Sequence, residues 1–280
     1  MVDFRHDQAA GLRALLRRIP VQRMALASLA PGCGATRLAT ALAVVLAEQG
    51  YRVALIDEFQ GAGSATARLG LSSRLDLLQV VNHDTTLARL RLASAQGISV
   101  FPAARLAAQN AALSRLQMAE LEQAFARIER DHEILLIDAA PNDLRLSAAA
   151  RRAERLVVAC NDTQAALTGA YALIKRHAGQ PAPAPAQLEL LYGGCTQARA
   201  QAAHANLAAL CAQQLRIGAG WLGWLAQESK FSRSGNSEDT LKLACITADK
   251  WLDEHHEPQG TPPELATCRK LPSRLPENLQ

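Results

Sequence analysis

Lysine is nearly missing from this chain. None occurs before Lys175, and the basic residues are mostly arginine. A phosphate site in the earlier residues would therefore have no lysine to draw on. Long apolar runs are missing too: nothing approaches the roughly eighteen consecutive apolar residues of a membrane span. The amino-terminal stretch "MVDFRHDQAAGLRALLRRIP" carries acids and lacks the apolar core of a signal peptide. The six cysteines (Cys33, Cys160, Cys195, Cys211, Cys245, Cys268) stand far apart, with no Cys-x-x-Cys pair and no zinc spacing. Read as reduced thiols, they imply a soluble, cytoplasmic protein. A net charge of +4 over 280 residues leaves no nucleic-acid footprint, so no direct nucleic-acid partner is expected. His255 and His256 are vicinal, but no third ligand is spaced to join them, and no metal site is expected.

What is present is material for a core, since 49% of the residues are hydrophobic. Six short, nearly all-apolar segments read as strands: 24–29, 52–57, 98–103, 133–138, 155–160 and 187–192. Helical patterns alternate with them at 36–48, 116–130, 163–177 and 196–214. Apolar strands alternating with helices indicate a parallel sheet covered on both faces. The expected fold class is α/β, a doubly wound, mostly parallel sheet over residues 21–253, preceded by a helical arm (1–20). The tail, 254–280, holds Pro258, Pro262, Pro263, Pro272 and Pro276, which argue against any regular element and predict disorder.

Between the first strand and the first long helix lies "APGCGATR", residues 30–37. Strand, glycine-rich loop and helix is the arrangement in which backbone N–H groups and a helix N-terminus cradle phosphate oxygens. A Gly-x-Gly alone is equally a tight turn. Two further features raise its weight: "ALID" and "LLID" place Asp57 and Asp138 at the carboxyl ends of core strands, the edge where open α/β sheets bind ligands. Either aspartate alone also fits a helix cap or a turn residue.

Together these residues resemble the MinD/ParA group of deviant Walker-A ATPases, whose loop reads Lys-Gly-Gly-x-Gly-Lys-Thr. Gly32, Gly34 and Thr36 match that pattern, but Ala30 stands at the signature lysine, Pro31 at the first glycine and Ala35 at the phosphate lysine. The family's Asp-x-Asp keeps Asp57 and has Phe59 where a water-orienting aspartate belongs, while "DAAP" keeps Asp138. The asparagine that reads adenine falls on Tyr192 or Gly193. A charge-assisted hydrogen bond contributes about 1.5–3 kcal/mol, so losing two lysines costs roughly 3–6 kcal/mol, about two to four decades of affinity. Arg37 is the one cation near the loop, and its place just inside the helix predicts a side chain turned from the phosphates. The resemblance thus implies a degenerate member: a vestigial nucleotide site at Gly32, Gly34, Thr36, Asp57 and Asp138, no required cofactor, weak ATP–magnesium binding at most, and no catalytic residues.

The amino-terminal arm narrows the resemblance. Asp7 suits an N-cap, and Ala9, Leu12, Leu15, Leu16 and Ile19 form one apolar stripe on a short helix ended by Pro20. Asp7, Gln8, Ala9, Leu12 and Arg13 match the Asp-Gln-Ala-x-x-Leu-Arg motif of the flagellar regulators called FlhG, FleN or YlxH, and "TGAYALIKRH" (168–177) resembles a second segment of that branch. In that family the motif binds the GTPase FlhF and stimulates it, and some members restrain a flagellar transcription activator. The implied function is regulation of flagellar number or placement by protein contacts. The alternatives are a working MinD/ParA-type ATPase and a BcsQ-like regulator of cellulose synthesis. No basic amphipathic helix closes the chain, so no autonomous membrane anchor is expected; recruitment to the pole or inner membrane would need a partner. A monomer, or an oligomer indifferent to nucleotide, follows from Ala30.

Overall fold

A computed structural model describes residues 21–30, 32–109, 112–179, 187–226 and 238–253. The arm with Asp7 to Arg13, the tail, Pro31, the two histidines and Cys268 lie outside the described residues.

The strands are β1 (Gln22–Ser28), β2 (Val53–Asp57), β3 (Leu92–Ala93), β4 (Ser99–Pro102), β5 (Ile134–Ala139), β6 (Arg155–Cys160), β7 (Gln187–Gly193) and β8 (Gly220–Leu225). They form one sheet in the order β3-β4-β2-β5-β1-β6-β7-β8, every pairing parallel except the short β3 against β4. The doubly wound, mostly parallel sheet expected from the alternation is what the chain adopts. Strands such as VALID and ILLIDA are buried at every position because helices cover both faces.

The helices are α1 (Ala35–Glu48), α2 (Ala65–Arg68), α3 (Leu77–Val81), α4 (Leu87–Leu90), α5 (Ala104–Gln109), α6 (Arg115–Asp131), α7 (Gln164–Ala178), α8 (Gln197–Leu215) and α9 (Glu238–Asp253). Successive strand residues feed opposite layers: Met24 and Leu26 pack with α1, while Ala25 and Ala27 pack with the α6, α7 and α8 side. Helix α1 is buried on nearly every side because α9 covers its outer face with Leu241, Ala244, Ala248 and Trp251. That explains why its sequence is apolar all round rather than amphipathic.

Two strands and one long helix exceed the sequence reading. The glycine- and tryptophan-rich GWLGWL is β8, made a strand by its pairing to β7. Helix α9 escapes notice although its buried residues recur at helical spacing.

Winding runs outward on both sides of β1, which lies between β5 and β6. The loop after β1 thus sits at the switch point of the sheet, where the crevice of such folds opens.

Candidate functional site

The loop after β1 takes the conformation its glycines allow. Gly32 (φ 80°) and Gly34 (φ 88°) are left-handed, a region that side chains strain to enter. Gly34 is the N-cap of α1 and offers no side-chain cap, whereas Ser64, Asp76, Thr86, Ser114, Thr163 and Thr196 each cap their own helix. The first N–H groups of α1 are therefore left for something else. A Cβ on Gly34 would stand 2.7 Å from Leu225 Cδ1, and one on Gly193 would stand 2.5 Å from the Cys33 carbonyl oxygen. The turn after β7 is stacked on the loop without room for a methyl group.

Behind the loop stand the retained acids. Asp57 and Asp138 are register partners on β2 and β5. Thr36 Oγ1 donates to Asp138 Oδ1 (3.2 Å), and Asp138 Oδ2, wholly buried, has no hydrogen-bond partner. Burial first, and then the charge of Asp57, holds the Asp138 proton well above the usual carboxyl range, with the Thr36 bond opposing. Asp57 has both oxygens committed: Oδ1 accepts from Phe59 N (3.1 Å), and Oδ2 accepts from Thr66 N (2.7 Å) and Thr66 Oγ1 (2.6 Å). It acts as the turn residue that its position also allowed, and it pins α2 to the sheet edge.

A third acid was not singled out in the sequence. Glu58 follows Asp57 and is only 4% exposed. Its Oε2 accepts from Ala140 N (3.0 Å) and its Oε1 from Ser147 Oγ, so one carboxylate ties the end of β2 to the segment after β5. Burial pushes it up to about 7, opposed by those two bonds and assisted by Asp57. The signal lay in plain sight, a second carboxyl directly after an apolar strand.

In front of the loop is a cavity of about 640 Å³, lined by Ala30, Gly32, Gly34, Ala35 and Thr36, by Arg37, and across from them by Phe59 and Arg68. Asp57 and Asp138 are not among its lining residues; Asp138 connects to it through the hydroxyl of Thr36. One expectation changes here. Arg37 is among the lining residues, but it is 5% exposed and its guanidinium donates to Ala226 O (3.0 Å) just past β8. It is not the one cation nearby, because Arg68, thirty-one residues on, arrives from α2. Sequence distance hid it.

At the adenine-reading position, Tyr192 is fully buried and stacked on Trp221 (5.5 Å between centroids, 17° between planes), and Gly193 abuts Cys33. Neither presents a side-chain amide. Burial pushes the Cys33 thiol up to about 11, which makes it a poor nucleophile. Among the described residues no cluster of three or more metal-ligating side chains occurs, and no helix is long and apolar enough to cross a membrane.

The donors fit a magnesium-bound phosphate in part. Loop glycines, the uncapped start of α1, Thr36, and Asp138 with its unpartnered oxygen are the parts that would hold one. Ala30, Ala35 and Phe59 are positions that contribute neither charge nor a water-orienting group.

Known proteins place this geometry. Over 158 residues the chain is 34% identical to the antiactivator FleN of Pseudomonas aeruginosa, a match covering 56% of this chain and 56% of that protein. The matched region thus spans just over half the length of this curated relative. The fold is shared with MinD from Aquifex aeolicus (15% identity, TM-score 0.61, 86% of this chain and 100% of that one). It is shared as well with a plasmid partition protein from Borrelia burgdorferi solved with AMPPNP (14% identity, TM-score 0.61, 84% and 99%). At such identities the likeness concerns the fold alone. Residues 21–179 match the family described as AAA domain, which is more than half of the chain. The chain belongs to that AAA-domain family, and the similarity to FleN bears out its resemblance to the FlhG/FleN branch of the MinD/ParA group.

Proposed function

We propose that this chain regulates flagellar assembly through protein contacts, on a MinD/ParA-type scaffold that does not turn over ATP. The observation that carries the second half is the wall of the loop cavity. Ala35, 1% exposed, stands at the phosphate-lysine position, and Phe59 is among the residues lining the cavity, at the position where an acid would orient water. Phosphoryl transfer needs charge stabilisation and a positioned nucleophile. Asp57 cannot stand in for the missing acid, because both of its oxygens are held by Phe59 and Thr66. A bound magnesium–nucleotide would bring the electrophilic phosphorus; the residues around it would hold the phosphates and leave a water unactivated.

The first half rests on the similarity to FleN, an antiactivator, and on the complete match of Asp7, Gln8, Ala9, Leu12 and Arg13 to the FlhF-stimulating motif. In this reading the partners are an FlhF-type GTPase, reached through residues 1–20, and a flagellar transcription activator.

Two measurements on the full chain test it. Steady-state phosphate release with ATP and magnesium should equal that of Asp138→Asn; activity above that control refutes the non-hydrolysing scaffold. GTP hydrolysis by the FlhF-type enzyme should rise on adding the chain or a peptide of residues 1–20, and fall by about tenfold for Gln8→Ala, whose amide would orient water. No stimulation by either removes the FlhF assignment.

A further inference from the structure

A second cavity, also of about 640 Å³, adjoins the loop cavity and shares Phe59 and Gln60 with it. Its described lining comes from the loop after β2, from 71–76 and from the junction of β4 with α5, and includes no residue of 28–37. We propose that this second cavity binds a small di- or tricarboxylate, held by Arg105 and Arg74. The site is independent of whether the loop cavity hydrolyses ATP.

Arg105 is exposed and yet held in place. Its backbone N donates to Asp76 Oδ2 (2.9 Å), and its Nη2 donates to Arg74 O (2.7 Å) and Gln79 Oε1 (3.1 Å). Gln79 Oε1 also accepts from Asp76 N (3.0 Å), so main chain and guanidinium are both tied to the turn that starts α3. One nitrogen makes both guanidinium bonds, and both acceptors are neutral. Among the described residues Nε and Nη1 make none, which leaves N–H groups at a fixed place for a ligand. A donor fixed beforehand loses less entropy on binding.

The wall carries no acid to answer these charges. Arg74 is exposed, and among the described residues its side chain has no hydrogen bond or ion pair. Asp76, the one acid of the described lining, is 3% exposed and spent on backbone. Its Oδ1 accepts from Leu78 N (3.0 Å) and Leu106 N (3.2 Å), and its Oδ2 from Arg105 N. Elsewhere the chain answers its arginines: Arg23 meets Glu129 and Glu154, and Arg152 meets Glu122 and Glu129. Two guanidinium groups lining one cavity without a carboxylate partner favour an anion there.

The donors suit carboxylate. A planar guanidinium binds both oxygens of one carboxylate. The helices at this cavity, α2, α3 and α5, are four to six residues long, too short to supply the terminal dipole that favours phosphate at the start of α1. Leu71 and Pro102 offer apolar surface for a hydrocarbon skeleton, and the volume falls in the range of small-molecule sites. Phe59 adds a separate reason. It stands on the wall common to both cavities, at the position where the resembling pattern has an aspartate. An acid there would set a negative charge against an anion in the second cavity, and phenylalanine removes that repulsion.

The test is calorimetric titration of the full chain, without magnesium and at constant ionic strength, with citrate and separately with a hexaglutamate peptide. Citrate should bind in the millimolar range or tighter. Arg74→Ala, which removes a side chain without internal bonds, should weaken it by about tenfold, the range for losing one charge-assisted bond. Phe59→Asp should weaken it by about as much. Arg127→Ala removes an exposed arginine on α6, away from the cavity, and should leave the affinity unchanged. Equal weakening by Arg74→Ala and Arg127→Ala would reduce the effect to net charge and overturn the site. No heat with citrate up to about 10 mM, a range in which weak sites still titrate, would overturn it as well. Binding of hexaglutamate without citrate would refute the small ligand in favour of a protein's acidic segment.

Discussion

Replacing Glu58 by glutamine should remove a pH dependence of stability. The native carboxyl is buried, bonded by Ala140 N and Ser147 Oγ, and pushed from an ordinary 4.5 to about 7. Between those two values the native state holds a proton that the unfolded state has released. Stability is therefore full below about 4.5 and declines as the pH rises toward 7. At about 1.4 kcal/mol per tenfold change in proton affinity, that decline amounts to roughly 3 kcal/mol by neutral pH. Glutamine is a fair copy of the neutral acid: its carbonyl can accept from Ala140 N and its amide can donate to Ser147 Oγ. Glu58→Gln should therefore match wild type near pH 4.5 and exceed it by up to about 3 kcal/mol at pH 8. The assay is urea denaturation across that range, read as the difference between the two proteins. Taking the difference matters because Asp138, shifted in the same direction by burial and Asp57, adds its own decline to both curves. Parallel curves would refute the reasoning, and a variant less stable at every pH would show that the charged form is the one the native state prefers.

Three further outcomes are expected. Gly193→Ala should destabilise by about 1–3 kcal/mol, because its Cβ would meet the Cys33 carbonyl at 2.5 Å and backbone must move. Gly63→Ala, with nothing within 4 Å, should be near neutral in the same denaturation series. The mass by light scattering should ignore magnesium–ATP, since Ala30 has no side chain to reach a partner's phosphates; a doubling on adding a non-hydrolysable analogue contradicts this.

The sheet was legible because its inner strands are short apolar runs separated by helical stretches. Both signals are local. Where a strand owes its form to its neighbour, the sequence is silent: GWLGWL has two glycines and no run, and it is extended because β7 lies beside it. The loop at 32–36 was legible for the same local reason, with Gly32 and Gly34 both left-handed as a tight phosphate turn requires. Arg68 was not. Its approach depends on Asp57 gripping Thr66, a contact across nine residues, and no periodicity encodes it. The acceptor of Arg37 was equally out of reach of the sequence: α1 is covered, and the guanidinium bonds Ala226 O, 189 residues away.

Which positions match the nucleotide-binding pattern, and which do not, then has a physical division. Thr36 bonds Asp138 and accepts from Thr40 Oγ1 (2.7 Å) through its carbonyl. Asp57 holds α2, Gly34 makes room for Leu225, and the left-handed turn at Gly32 admits few other residues. Each matching position has a task inside this chain, whether or not a ligand ever arrives. Ala30, Ala35 and Phe59 stand at positions whose tasks in the pattern are toward phosphate or water. Substituting there leaves the sheet, the turn and the α2 clamp intact. A matching residue at such a site is thus weak evidence for catalysis when the structure gives it internal partners. A mismatch at a position without them is strong evidence about the ligand. By that criterion Asp57 and Thr36 say that the scaffold is folded, and Ala30 and Phe59, both on the cavity wall, say which groups the cavity lacks.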